Sequence, residues 1–385
     1  MDQQELNYLE FLRFCLNDHL PAPACIKDIN WHKLLEFATR QTIVGLYART
    51  VLMKDGKLTV EGFMGNKPSD EDVMEWVFED YRLRKDNTRL FERTTKAAEW
   101  FAENGFRNVI LKGQGNALMY PDPMLRTPGD IDIWLEGGRE KVLAFTTKYY
   151  QKEANSMHVD FPMFRDTPVE VHFRPTRLFN PYRTKTLWAY CDSVAGEQFD
   201  NKVTSPDGKY TFNMPTNEFN AFYQLDHVFR HLIYKGVGMR QVIDYFFLLR
   251  KRYNDGATPA DNEKLIKVLD RFGIKKFARA MMYVQREVLG LEDKYLFIKP
   301  HEREGKFLLK ELLEAGNFGH HDTRLDSSLE GVEGHVKRFW VLESFRLRLL
   351  THYPSEAIWM PWRDIKRHWQ REKEEKEKSK EEKKD

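Results

Sequence analysis

Residues 110–134 read ILKGQGNALMYPDPMLRTPGDIDIW, and the end of this stretch decides the fold class. Ile131 and Ile133 alternate with Asp130, Asp132 and Trp134, the period-two pattern of a half-buried strand. Neighbouring side chains on a strand leave opposite faces. Asp130 and Asp132 therefore share one face, while the isoleucines enter apolar packing on the other. Upstream, Val109, Ile110 and Leu111 form a short apolar run that stops at Lys112-Gly113, as a buried strand does. Downstream, VEVHF (169–173) alternates again and predicts a third strand. Residues 139–151 predict a helix between the last two strands. Pro206-Asp207-Gly208, between Val203 and Tyr210, is a hairpin signal.

Outside this block the pattern is helical. Leu6, Leu9, Phe11, Leu12, Phe14 and Leu16 recur near a 3.6 period. So do Trp31, Leu34, Leu35 and Ala38, with Asp28 or Asn30 placed to cap, and then Val44, Leu46 and Val51. Gly62 to Asp70 predicts a loop, and a long helix follows over about 71–104, with Gly105 suited to end it. Further helices are predicted near 217–235, 239–253, 261–271, 275–289, 301–315 and 330–352. The expectation is an α+β protein with a central mixed β-sheet core over 105–215. An N-terminal helical region (1–104), a C-terminal helical region (216–370) and a charged tail (371–385) flank it. The tail holds seven basic and seven acidic residues and reads as a solvated polyampholyte without chemistry of its own.

The chain's 385 residues suit two to three domains at about 150 residues each. Aromatic residues make up 14%, which excludes a wholly disordered chain. Lys and Arg number 61 against 59 Asp and Glu, and a net charge of +2 argues against a dedicated nucleic-acid binder. Cys15, Cys25 and Cys191 are far apart and in no CxxC spacing, which argues for a reducing compartment and against structural zinc. The opening MDQQELNYLEFLRF has no basic-then-apolar leader, and no apolar run reaches the ~18 residues of a membrane span. A soluble, cytoplasmic protein without a membrane partner is expected.

Two carboxylates about 7 Å apart along a strand repel unless a cation lies between them. Asp130 and Asp132 can both coordinate Mg²⁺ (or Mn²⁺), hard ions that take carboxylates together with substrate phosphates. The plain alternative is a polar edge strand with two solvated aspartates. Gly113 and Gly115 allow close backbone approach, so the Lys112-Gly113 turn can offer N–H groups and a point charge to phosphate. Glu170 supplies a third carboxylate, with His172 on its face. Asp160 and Asp166 are rivals for that place, and the clean alternation around Glu170 favours it. Nucleotidyl transfer needs about three such carboxylates around two Mg²⁺.

The sequence resembles the uncharacterised nucleotidyltransferase family of the DNA polymerase β-like nucleotidyltransferase superfamily. The family's Lys-Gly, Arg-x-x-x-Asp-Ile-Asp and Glu-Val-His pattern falls on Lys112, Gly113, Arg126, Asp130, Asp132, Glu170 and His172. It extends more loosely to His227, His231, Arg240 and Asp244, and to Gly316-Asn317-Phe318-Gly319. The Gly-Ser turn usual in the superfamily is Lys-Gly here, so no serine hydroxyl reaches a phosphate. The resemblance implies transfer of a nucleoside monophosphate from an NTP to an unnamed acceptor, with release of pyrophosphate. Asp130 and Asp132 would bind both metals. Glu170 would bind the catalytic one and could act as base, and Lys112 and Arg126 would neutralise phosphate.

His227 and His231 stand four apart on a predicted helix and share a face. They read as a zinc pair, as histidines hydrogen-bonded to a neighbouring segment, or, with Arg240, as a wall facing the nucleotide. The first lacks the adjacent Glu of the metalloprotease motif. His320-His321 reads as a surface turn. Tyr149-Tyr150, Phe246-Phe247 and the tryptophans of 359–369 read as packing residues rather than base-stacking platforms. A non-catalytic nucleotide sensor or interaction module on the same fold is the competing reading, since fold does not fix function.

Overall fold

The computed structural model describes residues 3–151, 153–234, 236–315 and 331–361. The predicted features at 316–319, 320–321 and 371–385 lie outside them, as do the tryptophans beyond Trp359. The chain divides into two compact units, residues 1–176 with 188–323, and residues 177–187 with 324–385.

In chain order the helices are α1 (Gln3–Leu16), α2 (Trp31–Arg40), α3 (Val44–Val51), α4 (Asp70–Glu103), α5 (Gln114–Ala117), α6 (Gly138–Thr146), α7 (Pro181–Asp200), α8 (Asn217–Tyr234), α9 (Met239–Asn254), α10 (Pro259–Arg271), α11 (Lys275–Tyr283), α12 (Glu302–Ala315), α13 (Gly331–His352) and α14 (Pro354–Ala357). The strands are β1 (Asn108–Ile110), β2 (Ile131–Leu135), β3 (His158–Asp160), β4 (Val169–His172), β5 (Lys202–Thr204) and β6 (Thr211–Asn213). The architecture is the expected α+β, largely helical around a small mixed sheet. No helix among the described residues is long and apolar enough to cross a membrane.

Local chemistry accounts for the helix ends. Asn30 caps α2 by accepting from the Lys33 backbone N–H. Ser69 and Asp72 form a reciprocal capping box at the start of α4, and Gly105, at φ +80°, follows its end. From there the chain enters β1.

The four-stranded sheet runs β1-β2-β4-β3. β2 pairs antiparallel with β1 and parallel with β4, while β3 runs antiparallel along β4. Ile131, Ile133, Val159, Val169 and Val171 are buried in one cluster with Leu90, Phe91, Ala98 and Phe101 of α4. That burial settles the register, because a one-residue slip of β2 would put both aspartates into this core. β5 and β6 form the separate hairpin expected around Pro206-Asp207-Gly208.

Four elements were not expected: the short helices α5 and α14, strand β3 and helix α7. β3 has three residues and pairs along β4 only. α7 buries Leu187, Cys191 and Phe199, too few apolar positions to make a legible stripe. In the second unit, buried Glu356 accepts the backbone N–H groups of Phe179 and Asn180 just ahead of α7, at 2.7 and 3.0 Å.

Candidate active site

The site begins where β1 ends. The Leu111 N–H still bonds the Asp132 carbonyl at 3.0 Å, and the chain then turns at Lys112-Gly113. Gly113 has φ +58° and ψ −117°, and a Cβ there would lie 3.3 Å from the Asp130 carbonyl. An L side chain is strained in that conformation, so glycine is a requirement of the turn.

The strand pairings then gather the polar residues. Asp132 lies opposite Glu170 across the parallel pair, and Glu170 opposite Asp160 across the antiparallel one. His172 and His158 form the next row. One oxygen from each of Asp130, Asp132 and Glu170 lies within 4.8 Å of the others. Asp166, a rival in sequence, pairs instead with Arg93 of α4. Asp160 is half exposed, and its Oδ1 lies 3.9 Å from His158 Nε2.

Lys112 and His172 balance the charge. Lys112 Nζ lies 2.9 Å from Asp132 Oδ2 and 3.9 Å from Asp130 Oδ2. His172 Nε2 donates to Asp132 Oδ1 at 3.0 Å and lies 3.4 Å from Glu170 Oε2. Burial disfavours every charge here, yet at Lys112, Asp132, Glu170 and His172 the opposite charges outweigh it. Lys112 is pushed up, chiefly by Asp130 and Asp132. Asp132 is pulled down by Lys112 and His172. Against the same burial, His172 lowers Glu170 to about 2, and Asp132 with Glu170 raises His172 to about 9. His158, 3.3 Å from Glu170 Oε2, falls to about 4 through burial and the charge of His172. The two histidines thus differ in charge at neutral pH. Asp132 is 2% exposed, and its Oδ2 accepts no hydrogen bond among the described residues, with Lys112 as its ion-pair partner.

Helices α8 and α9 form the facing wall. Lys112, Gly113, Arg126, Asp130, His227 and Arg240 line one cleft, so most of the sequence-predicted residues converge. Asp132, Glu170 and His172 lie on the adjoining sheet floor. The cleft encloses about 30 Å³, room for water and not for a nucleotide.

Arg126 has a partner no local pattern shows. Its Nε and Nη2 donate to the two carboxylate oxygens of Asp244 on α9, at 2.8 and 2.9 Å. Tyr120 Oη and Asn116 Nδ2 donate to the same carboxylate, at 2.8 and 3.1 Å. Arg126 is 5% exposed and Asp244 3%. This is a buried pair with its carboxylate fully hydrogen-bonded, the arrangement in which burial of charge is tolerated. Arg240 Nη1 donates to the carbonyls of Thr127 and Pro128, at 3.0 and 3.3 Å, just ahead of Asp130. The Arg240 Nε is buried and donates no hydrogen bond among the described residues.

His227 lines the cleft, and its ring packs edge-on against His231 with centroids 4.4 Å apart. Arg230 Nη2 lies 3.2 Å from His227 Nδ1. Neither histidine belongs to a cluster of three or more candidate metal ligands among the described residues. Tyr223, Gln224 and Gln241 also line the cleft and went unread in the sequence. Their i, i+3 or i, i+4 spacing to His227, or for Gln241 its place next to Arg240, was the available signal.

A family model described as an uncharacterised nucleotidyltransferase matches residues 27–290. The chain belongs to that family. The match spans well over half the chain and runs from before α2 through the sheet and the α8–α9 wall. Every residue that lines the cleft of this nucleotidyltransferase-family chain falls inside it. No curated protein and no solved structure matches the chain.

The donor set of this family member fits a hard divalent cation. It offers the carboxylates of Asp132 and Glu170 on adjacent strands and of Asp130 just ahead of β2, with the buried Asp132 Oδ2 met by the Lys112 ammonium. Mg²⁺ and Mn²⁺ take oxygen ligands of this kind.

Proposed function

We propose that the protein is a metal-dependent nucleotidyltransferase of the DNA polymerase β-like superfamily. It moves a nucleoside monophosphate from an NTP to a hydroxyl or phosphate acceptor and releases pyrophosphate. The observation that carries this reading is the convergence of Asp130, Asp132 and Glu170 within 4.8 Å beside a cleft that Lys112 and Arg240 line.

Asp130, Asp132 and Glu170 would hold Mg²⁺ or Mn²⁺, which would supply charge to stabilise the triphosphate and ease loss of the acceptor's proton. Glu170 is held near 2, so it suits a ligand better than a proton acceptor at neutral pH. His172 donates to Asp132 and orients that carboxylate. Lys112 and Arg240 are the cations of the cleft with capacity for phosphate. Arg126, bound on both prongs to Asp244, holds the 116–126 segment against α9. Binding of a nucleotide requires side chains at the cleft to move apart, because the enclosed space is small.

The test combines thermal shift and pyrophosphate release. The four NTPs are offered with Mg²⁺ or Mn²⁺ to the intact chain and to Asp130→Asn/Asp132→Asn. A ligand at 100 times its Kd adds about 2.7 kcal/mol, a readable shift. Metal-dependent stabilisation and pyrophosphate release, both lost in the double variant, are expected. Release that survives the double substitution refutes the site. Stabilisation without release across an acceptor panel favours the non-catalytic nucleotide-binding module instead.

A further inference from the structure

Helix α4 carries two apolar stripes. Trp76, Leu83, Leu90 and Phe91 face the core. On the opposite side of the helix's first half stand Met74, Phe78 and Tyr81, at i, i+4 and i+7. They are 68%, 63% and 65% exposed, with Val77 beside them at 42%. Core packing explains the first stripe and not the second. Contiguous exposed apolar patches on soluble proteins mark interaction surfaces more often than chance scatter.

The second stripe has a heptad spacing. Glu71, Phe78 and Lys85 occupy one seven-residue series, and Met74 and Tyr81 the other. Its two ends differ in charge. Asp70, Glu71 and Glu75 (the last paired with His32) stand at the N-terminal end, and Lys85 stands at the C-terminal end with Arg82, which pairs with Glu79 of its own helix. Two such helices laid parallel oppose like charges. Laid antiparallel about Phe78, they place Glu71 against the partner's Lys85, and Met74 against the partner's Arg82, one residue from Tyr81. The patch is therefore self-complementary, as a two-fold interface must be. Met74 and Phe78 also wall a groove of about 970 Å³ with Tyr8, Leu35 and Phe37, away from the carboxylate cluster. The partner's Tyr81 is the side chain placed to enter it.

We propose that a second copy of this chain covers the stripe, with α4 packed antiparallel on α4. The exposed parts of the three large side chains amount to about 400 Å² per chain, taking roughly 200 Å² for each side chain in full. With the flanking residues the total is about 1,000 Å², the lower bound for a specific interface, so the dimer is in reversible equilibrium.

Sedimentation velocity on the full chain, from roughly 1 to 100 µM, covers the range where so small an interface associates. The mass is expected to rise from 45.9 kDa toward twice that value. Phe78→Glu is expected to stay monomeric throughout with an unchanged melting curve, because the side chain is exposed. Glu71→Lys alone and Lys85→Glu alone are each expected to weaken association several-fold. Their combination restores it, since each charge then meets its opposite on the other copy. A wild-type monomer across the range overturns the proposal and leaves the stripe to another occupant. Association that survives Phe78→Glu, or a double reversal no better than either single change, overturns it as well.

Discussion

Asp244→Asn tests whether Arg126 is a structural strut. Asp244 accepts four hydrogen bonds, two from Arg126, one from Tyr120 and one from Asn116. An asparagine has the same shape but turns an amide N–H₂ toward at least one of these donors. The Arg126 guanidinium would stay buried and lose its counter-charge. Breaking such a pair from one side costs about 3–5 kcal/mol. At roughly 2 °C per kcal/mol for a unit of this size, the melting temperature falls by about 6–10 °C. The assay is thermal unfolding of nucleotide-free, metal-free protein. This choice separates a strut from a phosphate ligand, since a ligand-binding arginine contributes little before its ligand arrives. Arg126→Met and Asp244→Leu complete a cycle. The combined variant should be no less stable than the worse single one, a coupling of about 3 kcal/mol. An Asp244→Asn melt within about 1 °C of wild type, or additive singles, refutes the reasoning, since buried charges in contact do not add.

Lys112→Met should destabilise the metal-free protein by leaving Asp130 and Asp132 with His172 as their remaining cation, and added Mg²⁺ should stabilise this variant more than wild type. An equal Mg²⁺ shift in both, followed by differential scanning fluorimetry, would count against these carboxylates as the cation site. Asp226 of α8 is fully buried, accepts from Thr176, and is raised by burial to about 6 from 3.8. Its folded pKa is the higher one, so its contribution is present below about pH 4 and is lost as pH rises through about 6. Asp226→Asn removes that dependence, and the variant-minus-wild-type stability should grow by about 3 kcal/mol between pH 4 and 7.5. Urea titrations at the two pH values measure it, and a pH-independent difference would show that Asp226 titrates normally.

Local order in the sequence carried much of the site. The alternation of Asp130, Ile131, Asp132 and Ile133 determined a strand with both carboxylates on one face, because strand geometry repeats every two residues. The same rule put Glu170 and His172 together, and Asn30 and Gly105 marked helix ends through contacts within one turn. Such features depend on neighbours a few residues apart, and the chain states them directly.

What only the tertiary structure decided involves partners far apart in sequence. Parallel pairing of β2 with β4 brought Glu170 opposite Asp132, and β3 along β4 put His158 beside it. Arg126 carried the same charge whether it faced a phosphate or a protein carboxylate. Its partner, Asp244, lies 118 residues away on another helix. The face of α4 that meets the core was equally undecided, since both of its sides carry apolar residues at helical spacing. Periodicity determines that a face exists, and the packing of distant segments determines which group each charge and each face meets.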